Sequence, residues 1–322
     1  MKYKLIVTRR WPEHVEQSLA ERFDCEFNAT DEPFTLEQYR DALQRADGLL
    51  ATVTDQLDQR AFAIKAPKTR IIANFGVGYS HIDLASATAH SITVTNTPDV
   101  LSDCTADIAM TLMLIVARRA GEGERELPAG KWSGWRPTHM VGSKVSGKSL
   151  GIVGFGRIGQ AMARRAHHGF GMRVNVYNRS VVAPEVLAAA GATQLQSLEQ
   201  LLAQSDFVSL HCPGGDQNRH LIDANALASM QSGAYLINTA RGEVVDDEAL
   251  IDALQSHRIA GAGLDVFNGE PDLDQRYLSL DNAVLLPHLG SATLETREGM
   301  GLRVLANLDQ FFAGETPQDL VV

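Results

Sequence analysis

The chain has 322 residues, 44% of them hydrophobic, and a formal net charge of −10 at pH 7. This length favours two globular domains rather than one. The acidic balance argues against nucleic acid or an anionic membrane surface as the main partner, because both bind to cationic surfaces.

The cysteines and the apolar runs favour a cytoplasmic protein with no membrane partner. Cys25, Cys104 and Cys212 have no paired spacing, so neither disulfides nor a metal site are expected, and a reducing compartment fits. The apolar run within Met1–Arg10 is too short for a secretory signal and predicts a first strand. Ile108–Ala117 is too short to cross a bilayer and predicts a buried helix.

In the first third of the chain, short apolar runs alternate with helical patterns. Strands are predicted over Lys4–Thr8, Gly48–Thr52, Arg70–Phe75 and Ser91–Thr95, with a helix over Leu36–Ala46 among them. Such alternation indicates a parallel sheet built from right-handed crossover units.

A longer helix is predicted over Thr105–Arg119, where apolar residues recur at three- and four-residue steps. The segment Gly121–Gly147 that follows is polar and aromatic and has no periodicity. An irregular functional or docking segment is therefore expected there.

A second alternating series begins at Ser149 and closes with a helix expected over Leu294–Ala313. Its strands are predicted at Leu150–Val153, Val174–Tyr177, Phe207–Leu210, Ala234–Asn238, Gly261–Val266 and Ala283–Leu286.

The first turn of this series carries the pattern G-x-G-x-x-G at Gly154, Gly156 and Gly159, with Arg157 and Ile158 inside it. Ordinary turns also show the pattern, but here an apolar strand precedes it and an amphipathic helix follows. In that context the glycines allow a tight turn and a close approach to a diphosphate, which the helix N-terminus attracts. The sequence therefore predicts an α/β protein with two doubly wound parallel-sheet domains, a Rossmann-type dinucleotide domain and a smaller flavodoxin-like substrate domain.

The end of the next strand predicts which dinucleotide is preferred. Enzymes that use NAD place an acidic residue about 20 positions after the loop, on the ribose 2′-hydroxyl. This chain has Asn178 there, followed by Arg179 and Ser180. Asn178 would not repel a 2′-phosphate, and a guanidinium matches phosphate oxygens. NADPH is therefore favoured over NADH, the alternative being that Arg179 is only a surface residue of a turn.

Three later strands are each followed by residues suited to keto-acid reduction. Arg241 follows one strand, Asp265 and Glu270 follow the next, and His288 follows the last. Each of these residues taken alone is more often structural. Ligands of open α/β sheets bind at the carboxyl ends of the strands, so the joint placement favours a catalytic site.

With these segments, the chain resembles the D-isomer-specific 2-hydroxyacid dehydrogenase family, and within it the glyoxylate/hydroxypyruvate reductases. The resemblance covers about Ile71 to the C-terminus, is weaker before Ile71, and includes Asn74–Gly78 and Thr97–Leu101. It implies that Arg241 binds and polarises the substrate. It also implies that His288 is the general acid and that Glu270 hydrogen-bonds His288, stabilising the protonated ring.

The resemblance implies further roles for residues around this group. Val77 and Gly78 would bind the substrate carboxylate through backbone N–H groups, and Asp265 would hold the nicotinamide carboxamide. The resemblance also implies that the cofactor is lined by Thr105, Cys212 and Pro213, for which purely structural roles remain open. Cofactor binding is further expected at Thr239 and Gly290.

A tryptophan pair lies in the irregular segment, at Trp132 and Trp135. Similar Trp-x-x-Trp segments occur in glyoxylate/hydroxypyruvate reductases, where the second indole can enter the active site of the other subunit. Trp135 is the candidate for that substrate-binding role, and the alternative is that both indoles only pack in an interface. Either interpretation predicts a homodimer.

The resemblance also implies a discontinuous substrate domain, residues 1–98 and 290–322, around a dinucleotide domain of residues 99–289. Rival activities on this fold are D-lactate, 3-phosphoglycerate, phosphite and formate dehydrogenation. A further alternative of another class is a dinucleotide-sensing corepressor. The complete set of Arg241, Glu270 and His288 favours catalysis, since a sensor would not need all three.

Overall fold

The computed structural model describes residues 2–322 and divides the chain into two compact units. The first unit comprises the residues up to Leu101 together with Ala292–Val322, and the second comprises Ser102–Ser291. The sequence predicts domain boundaries after residues 98 and 289, which lie three and two residues before the boundaries between the two units. Among the described residues, no helix is long and apolar enough to span a membrane.

The first unit is built on a five-stranded parallel sheet with the order β2-β1-β3-β4-β5. Its strands are β1 (Lys4–Val7), β2 (Asp24–Phe27), β3 (Gly48–Thr52), β4 (Ile71–Phe75) and β5 (Thr93–Thr95). This is the flavodoxin-like order, in agreement with the predicted fold.

Four helices pack around this sheet, and they are α1 (Glu13–Arg22), α2 (Leu36–Arg45), α3 (Leu84–Ala89) and α11 (Leu294–Phe312). The sequence dictates the start of α2 through a capping box, in which Thr35 and Gln38 each accept the other's backbone N–H. The last helix, α11, returns from the far end of the chain to pack on β4 and α1.

The second unit contains a seven-stranded sheet with the order β12-β11-β10-β9-β6-β7-β8. Its strands are β6 (Ser149–Val153), β7 (Arg173–Tyr177), β8 (Ala192–Gln194), β9 (Phe207–Leu210), β10 (Tyr235–Asn238), β11 (Gly261–Leu264) and β12 (Ala283–Leu285). All named pairs are parallel. The strand order reverses between β6 and β9, as in dinucleotide-binding sheets, so ligands are expected at that point.

Helices cover both faces of this sheet. They are α4 (Ser102–Arg118), α5 (Ala120–Glu126), α6 (Arg157–Arg164), α7 (Pro184–Ala189), α8 (Leu198–Gln204), α9 (Ala224–Ser229) and α10 (Asp247–Gln255). One apolar core joins α4 and α6 to the sheet, and a second joins α8, α9 and α10 to the opposite face. Burial on both faces explains why the strands read as continuous apolar runs.

The structure corrects the sequence prediction at four elements. The short strands β2 and β8 were not predicted, because each lies at a sheet edge and has a polar, partly exposed sequence. The helix α4 begins at Ser102, before the predicted start. The segment expected to be irregular from Gly121 opens with α5, a helix with no buried residue that the sequence pattern does not reveal.

Candidate active site

The glycine loop after β6 has the geometry that a bound diphosphate requires. Gly154 has a φ of +90°, and a Cβ there would lie 2.6 Å from the backbone nitrogen of Cys212. A Cβ on Gly159 would lie 2.3 Å from the carbonyl oxygen of Gly154, so both positions require glycine. By contrast, a Cβ on Gly156 would meet nothing within 4 Å, which leaves open space at the N-terminus of α6. The loop and helix end therefore fit a dinucleotide diphosphate.

Arg157 and Ile158, the first two residues of α6, flank this opening, and Arg157 is exposed. Cys212 and Pro213 follow β9 on the other side of the strand-order reversal. Burial raises the pKa of the Cys212 thiol to about 11, so that this wall of the crevice is uncharged at neutral pH.

The turn after β7 holds the residues predicted to choose between NADPH and NADH. Asn178 accepts the backbone N–H of Phe155 through Oδ1 at 3.2 Å, and its Nδ2 donates to Oγ of Ser180 at 3.0 Å. Asn178 therefore connects the phosphate loop to this turn, a structural role that the sequence analysis missed. Arg179 is exposed and forms no ion pair with a carboxylate among residues 2–322.

At the other end of the sheet, His288 and Glu270 form a close pair. Nδ1 of His288 lies 2.8 Å from Oε2 of Glu270, while Oε1 of Glu270 accepts the N–H of Phe267 at 2.8 Å. Burial acts to raise the pKa of Glu270, but the hydrogen bond and charge of His288 outweigh it and lower the pKa. With Nδ1 engaged, Nε2 is the ring nitrogen left for a substrate.

Arg241 lies just after β10 in a turn that the side chain of Asn238 closes. Asn238 accepts the N–H of Ala240 at 3.0 Å and donates to the carbonyl oxygen of Arg241 at 2.9 Å. Burial lowers the pKa of the guanidinium, whereas the charges of Glu243 and Glu270 oppose that change. No carboxylate in the described chain pairs with Arg241. A partly buried cation without a paired anion can bind one from a ligand.

Asp265, Thr105 and Gly290 form a second buried cluster behind the histidine. The two carboxylate oxygens of Asp265 accept the N–H groups of Leu289 and Gly290 at 2.6 and 2.7 Å, and Thr105 donates to the carbonyl oxygen of Gly290 at 3.0 Å. Burial raises the pKa of Asp265 in spite of these hydrogen bonds. The hydrogen bonds of Asp265 thus connect the end of β11 to the loop that carries His288.

Thr239 adds an observation that favours a bound cofactor. Its Oγ1 is one of five buried side-chain polar atoms without a hydrogen-bond partner within residues 2–322, and Thr239 directly follows β10, close to Arg241 in the chain. Buried hydroxyl groups in proteins almost always have a partner, so this one is suited to a polar group of a ligand.

In the first unit, the loop after β4 turns its carbonyl groups inward. Asn74 is fully buried and donates to the carbonyl oxygens of Gly76 and Gly78, both at 3.0 Å, while Asn96 donates to that of Val77 at 2.9 Å. The N–H groups of Val77 and Gly78 have no acceptor among the described residues. The loop thus presents two free donors, a suitable arrangement for a carboxylate.

Trp135 stands apart from these groups. Its side chain is 82% exposed and that of Trp132 is 52% exposed, between α5 and β6. Tryptophan is enriched at protein interfaces, so an interface role fits this pair of exposed indoles.

Several residues that shape the site were given no role from the sequence. They are amides placed after strands or in turns, and only folding brings them to their backbone or side-chain partners: Asn74, Asn96, Asn238, Gln194 and Gln217. No spacing pattern marks such residues in a single sequence.

The fold and these groups together define a dinucleotide-dependent dehydrogenase. The sequence profile of the family described as D-isomer specific 2-hydroxyacid dehydrogenase, NAD binding domain, matches residues 110–290. The chain belongs to this family and is an NAD(P)-dependent oxidoreductase, as the motif resemblance had indicated.

Comparison with known proteins extends the similarity over the whole chain. A glyoxylate reductase of Thermococcus onnurineus (strain NA1) is 44% identical over 100% of this chain and 96% of its own length. A glycerate dehydrogenase of Hyphomicrobium methylovorum is 36% identical over 97% of each chain. The crystal structure of an NADPH-dependent glyoxylate/hydroxypyruvate reductase from Sinorhizobium meliloti, in complex with NADP and malonate, superposes with a TM-score of 0.89. The two sequences are 31% identical, and the match covers 100% of this chain and 97% of the reductase.

Proposed function

We propose that this protein reduces a small 2-keto acid, glyoxylate or hydroxypyruvate, to the D-2-hydroxy acid, with NADPH as the preferred reductant and NADH as the weaker one. The observation that carries the proposal is the His288–Glu270 pair with its free Nε2, close enough to Arg241 for their charges to interact. The names of the similar proteins, which are glyoxylate reductase, glycerate dehydrogenase and glyoxylate/hydroxypyruvate reductase, support this substrate class.

In this proposal His288 donates a proton from Nε2 to the keto oxygen. The nicotinamide ring, when bound, supplies the hydride. Glu270 holds the imidazole through Nδ1 and stabilises the positive charge that makes it a donor. Because Glu270 holds Nδ1, the proton is transferred from Nε2 to the substrate.

Arg241 supplies the positive charge for the substrate. Its guanidinium has no paired carboxylate within residues 2–322, so the carboxylate of a keto acid can take that place in a forked geometry. The same cation polarises the keto oxygen on which negative charge develops. Val77 and Gly78 are assigned to the substrate carboxylate, because their N–H groups have no acceptor within residues 2–322.

The cofactor-binding residues are assigned in the same way. Gly154, Gly156 and Gly159 shape the diphosphate loop, and Arg179 with Ser180 binds the 2′-phosphate. The hydroxyl of Thr239 and the carboxylate of Asp265 are assigned to the nicotinamide half. NADPH preference is supported by Asn178, which puts a neutral amide where an acidic residue would repel the phosphate.

We assign the exposed Trp135 to a homodimer interface, where it contributes to the substrate pocket of the other subunit. The domain assignment is also part of the proposal: residues 1–98 and 290–322 bind the substrate, and residues 99–289 bind the dinucleotide.

The direct test is the initial rate of NADPH and of NADH oxidation, each with glyoxylate, hydroxypyruvate and pyruvate at neutral pH. The proposal expects the fastest turnover with NADPH and either of the first two acids. Tight NADPH binding without turnover of any of the three acids would contradict it.

A further inference from the structure

We infer that Gln217 is a specificity-determining residue, which orients Arg179 for the 2′-phosphate of NADPH. Nη1 of Arg179 donates to Oε1 of Gln217 at 2.5 Å. This inference rests on the proposed preference for NADPH. It adds to the site a residue from a different loop, after β9 rather than β7.

The polarity of this contact is unambiguous. A guanidinium has only donors, so the amide oxygen of Gln217 must face Arg179. The oxygen holds the cation without neutralising it, since an amide carries no net charge. Asp216, beside Gln217, forms no ion pair with Arg179 within residues 2–322, so the guanidinium retains its full charge for an incoming anion.

The turn that carries Gln217 is anchored at both ends. Gly215, where the 3-10 turn Asp216–Asn218 begins, donates its N–H to Oε1 of Glu243 at 3.1 Å. The side chain of Asn218 is buried and donates to the carbonyl oxygen of Pro213 at 2.8 Å. Gln217 therefore presents its amide from a fixed turn rather than from a free loop.

The turn that carries Arg179 is equally well held. Gln194, at the end of β8, donates to the carbonyl oxygens of Asn178 and Ser180 at 3.3 and 3.0 Å, and accepts the N–H of Val182 at 2.8 Å. Ser180 Oγ already accepts from Asn178, which leaves its own O–H free to donate. Two hydrogen-bonded turns, after β7 and after β9, thus hold a charged fork and a hydroxyl donor before any cofactor binds.

The contact also fixes the direction in which Arg179 extends. It joins the turn after β7 to the turn after β9, and β6 lies between these two strands in the sheet. The guanidinium therefore lies near the carboxyl end of β6, beside the strand-order reversal where a dinucleotide binds in this class of sheet. Because Gln217 already holds the flexible side chain of Arg179, this side chain loses less conformational entropy when the 2′-phosphate binds.

The experiment measures dissociation constants without keto acid, for NADPH, NADH and 2′,5′-ADP. Gln217→Met keeps the length and removes the acceptor, and we expect it to weaken NADPH and 2′,5′-ADP by about 3- to 10-fold. NADH should change by less than about twofold. Gln217→Glu should weaken NADPH by about tenfold or more, because its carboxylate would pair with Arg179 and repel the phosphate.

The matched control is Gln204→Met, at the exposed end of α8, which should change none of the three constants. In an Arg179→Ala background, Gln217→Met should lose most of its effect, since it acts through the guanidinium. Equal weakening of NADPH and NADH by Gln217→Met, or full additivity with Arg179→Ala, would overturn the inference. Equal weakening of NADPH and NADH by Arg179→Ala would instead contradict the proposed role of Arg179 in NADPH preference.

Discussion

Nδ1 of His288 lies 2.8 Å from a carboxylate oxygen of Glu270, and the other oxygen of that carboxylate accepts the N–H of Phe267. Glu270 is therefore held by the backbone of its own loop while it holds the imidazole. The pair is oriented before a substrate arrives, as efficient proton donation requires.

Replacing Glu270 by Gln should lower kcat by about 10- to 100-fold, because the variant keeps the size of the side chain but removes the negative charge that stabilises the imidazolium. Replacing His288 by Ala should lower kcat by about 100-fold or more. Neither change should alter the dissociation constant of NADPH. Initial rates and direct binding would be measured beside Glu185→Gln, an exposed control on α7. An unchanged kcat for His288→Ala would remove it from the proton-donating role.

Arg241→Lys should raise KM for the keto acid by about 10- to 100-fold, because a lysine keeps the charge but cannot form the two-pronged contact with a carboxylate. The penalty should largely disappear with an aldehyde that lacks the carboxylate, such as glycolaldehyde. Steady-state kinetics with both substrates would test this. The same loss with both substrates would show that Arg241 acts on the keto oxygen alone.

The thiol of Cys212 should resist alkylation at pH 8. The thiolate is the reactive form, and a pKa of about 11 leaves only about a thousandth of the thiol ionised at that pH. The rate should therefore rise about tenfold for each pH unit between pH 8 and 10, as the thiolate fraction rises toward the pKa. Iodoacetamide labelling followed by peptide mass spectrometry would measure it, with denatured protein as the control. Rapid labelling of the folded protein at pH 7.5 would contradict the burial of this side chain.

Asn74→Leu should both destabilise the protein and raise KM for the keto acid. The change removes the Asn74 donor from the carbonyl groups of Gly76 and Gly78, and only that of Gly76 keeps another, the N–H of Thr97. We expect a cost of about 1–3 kcal/mol, together with a looser loop around the N–H groups of Val77 and Gly78. Urea unfolding and steady-state kinetics would measure the two effects. Asn282→Leu, which removes one donor from the other unit, is the control and should leave KM unchanged. An unaltered KM for Asn74→Leu would separate the loop from substrate binding.

Trp135→Ala should weaken the homodimer by about tenfold or more and raise KM for the keto acid, because exposed tryptophans at interfaces contribute strongly to affinity. Light scattering across a dilution series, together with kinetics above the dissociation constant of the dimer, would separate the two effects. Trp132→Ala is the comparison, and it should weaken the dimer without changing KM. A monomeric wild-type protein would exclude the interface altogether.

Much of the architecture was predictable because its signals are local. Central strands such as β3 and β9 were predicted with their observed bounds, since burial on both faces requires a continuous apolar run. The phosphate loop was predictable because backbone contacts at Gly154 and Gly159 exclude any side chain. The edge strands β2 and β8 and the polar helix α5 carry no such requirement in their sequences, and they were missed.

The sequence by itself determined the two α/β halves, the glycine loop and the residue types that follow each strand. Only the tertiary structure decided which of those residues contact each other. Glu270 reaches His288 across two strand ends, Asp265 fastens the loop beyond β12, and Gln217 reaches Arg179 from a separate turn. Such contacts depend on the parallel pairing of strands that are distant in the chain. The side-chain amides and carboxylates that form them show no periodicity in the sequence.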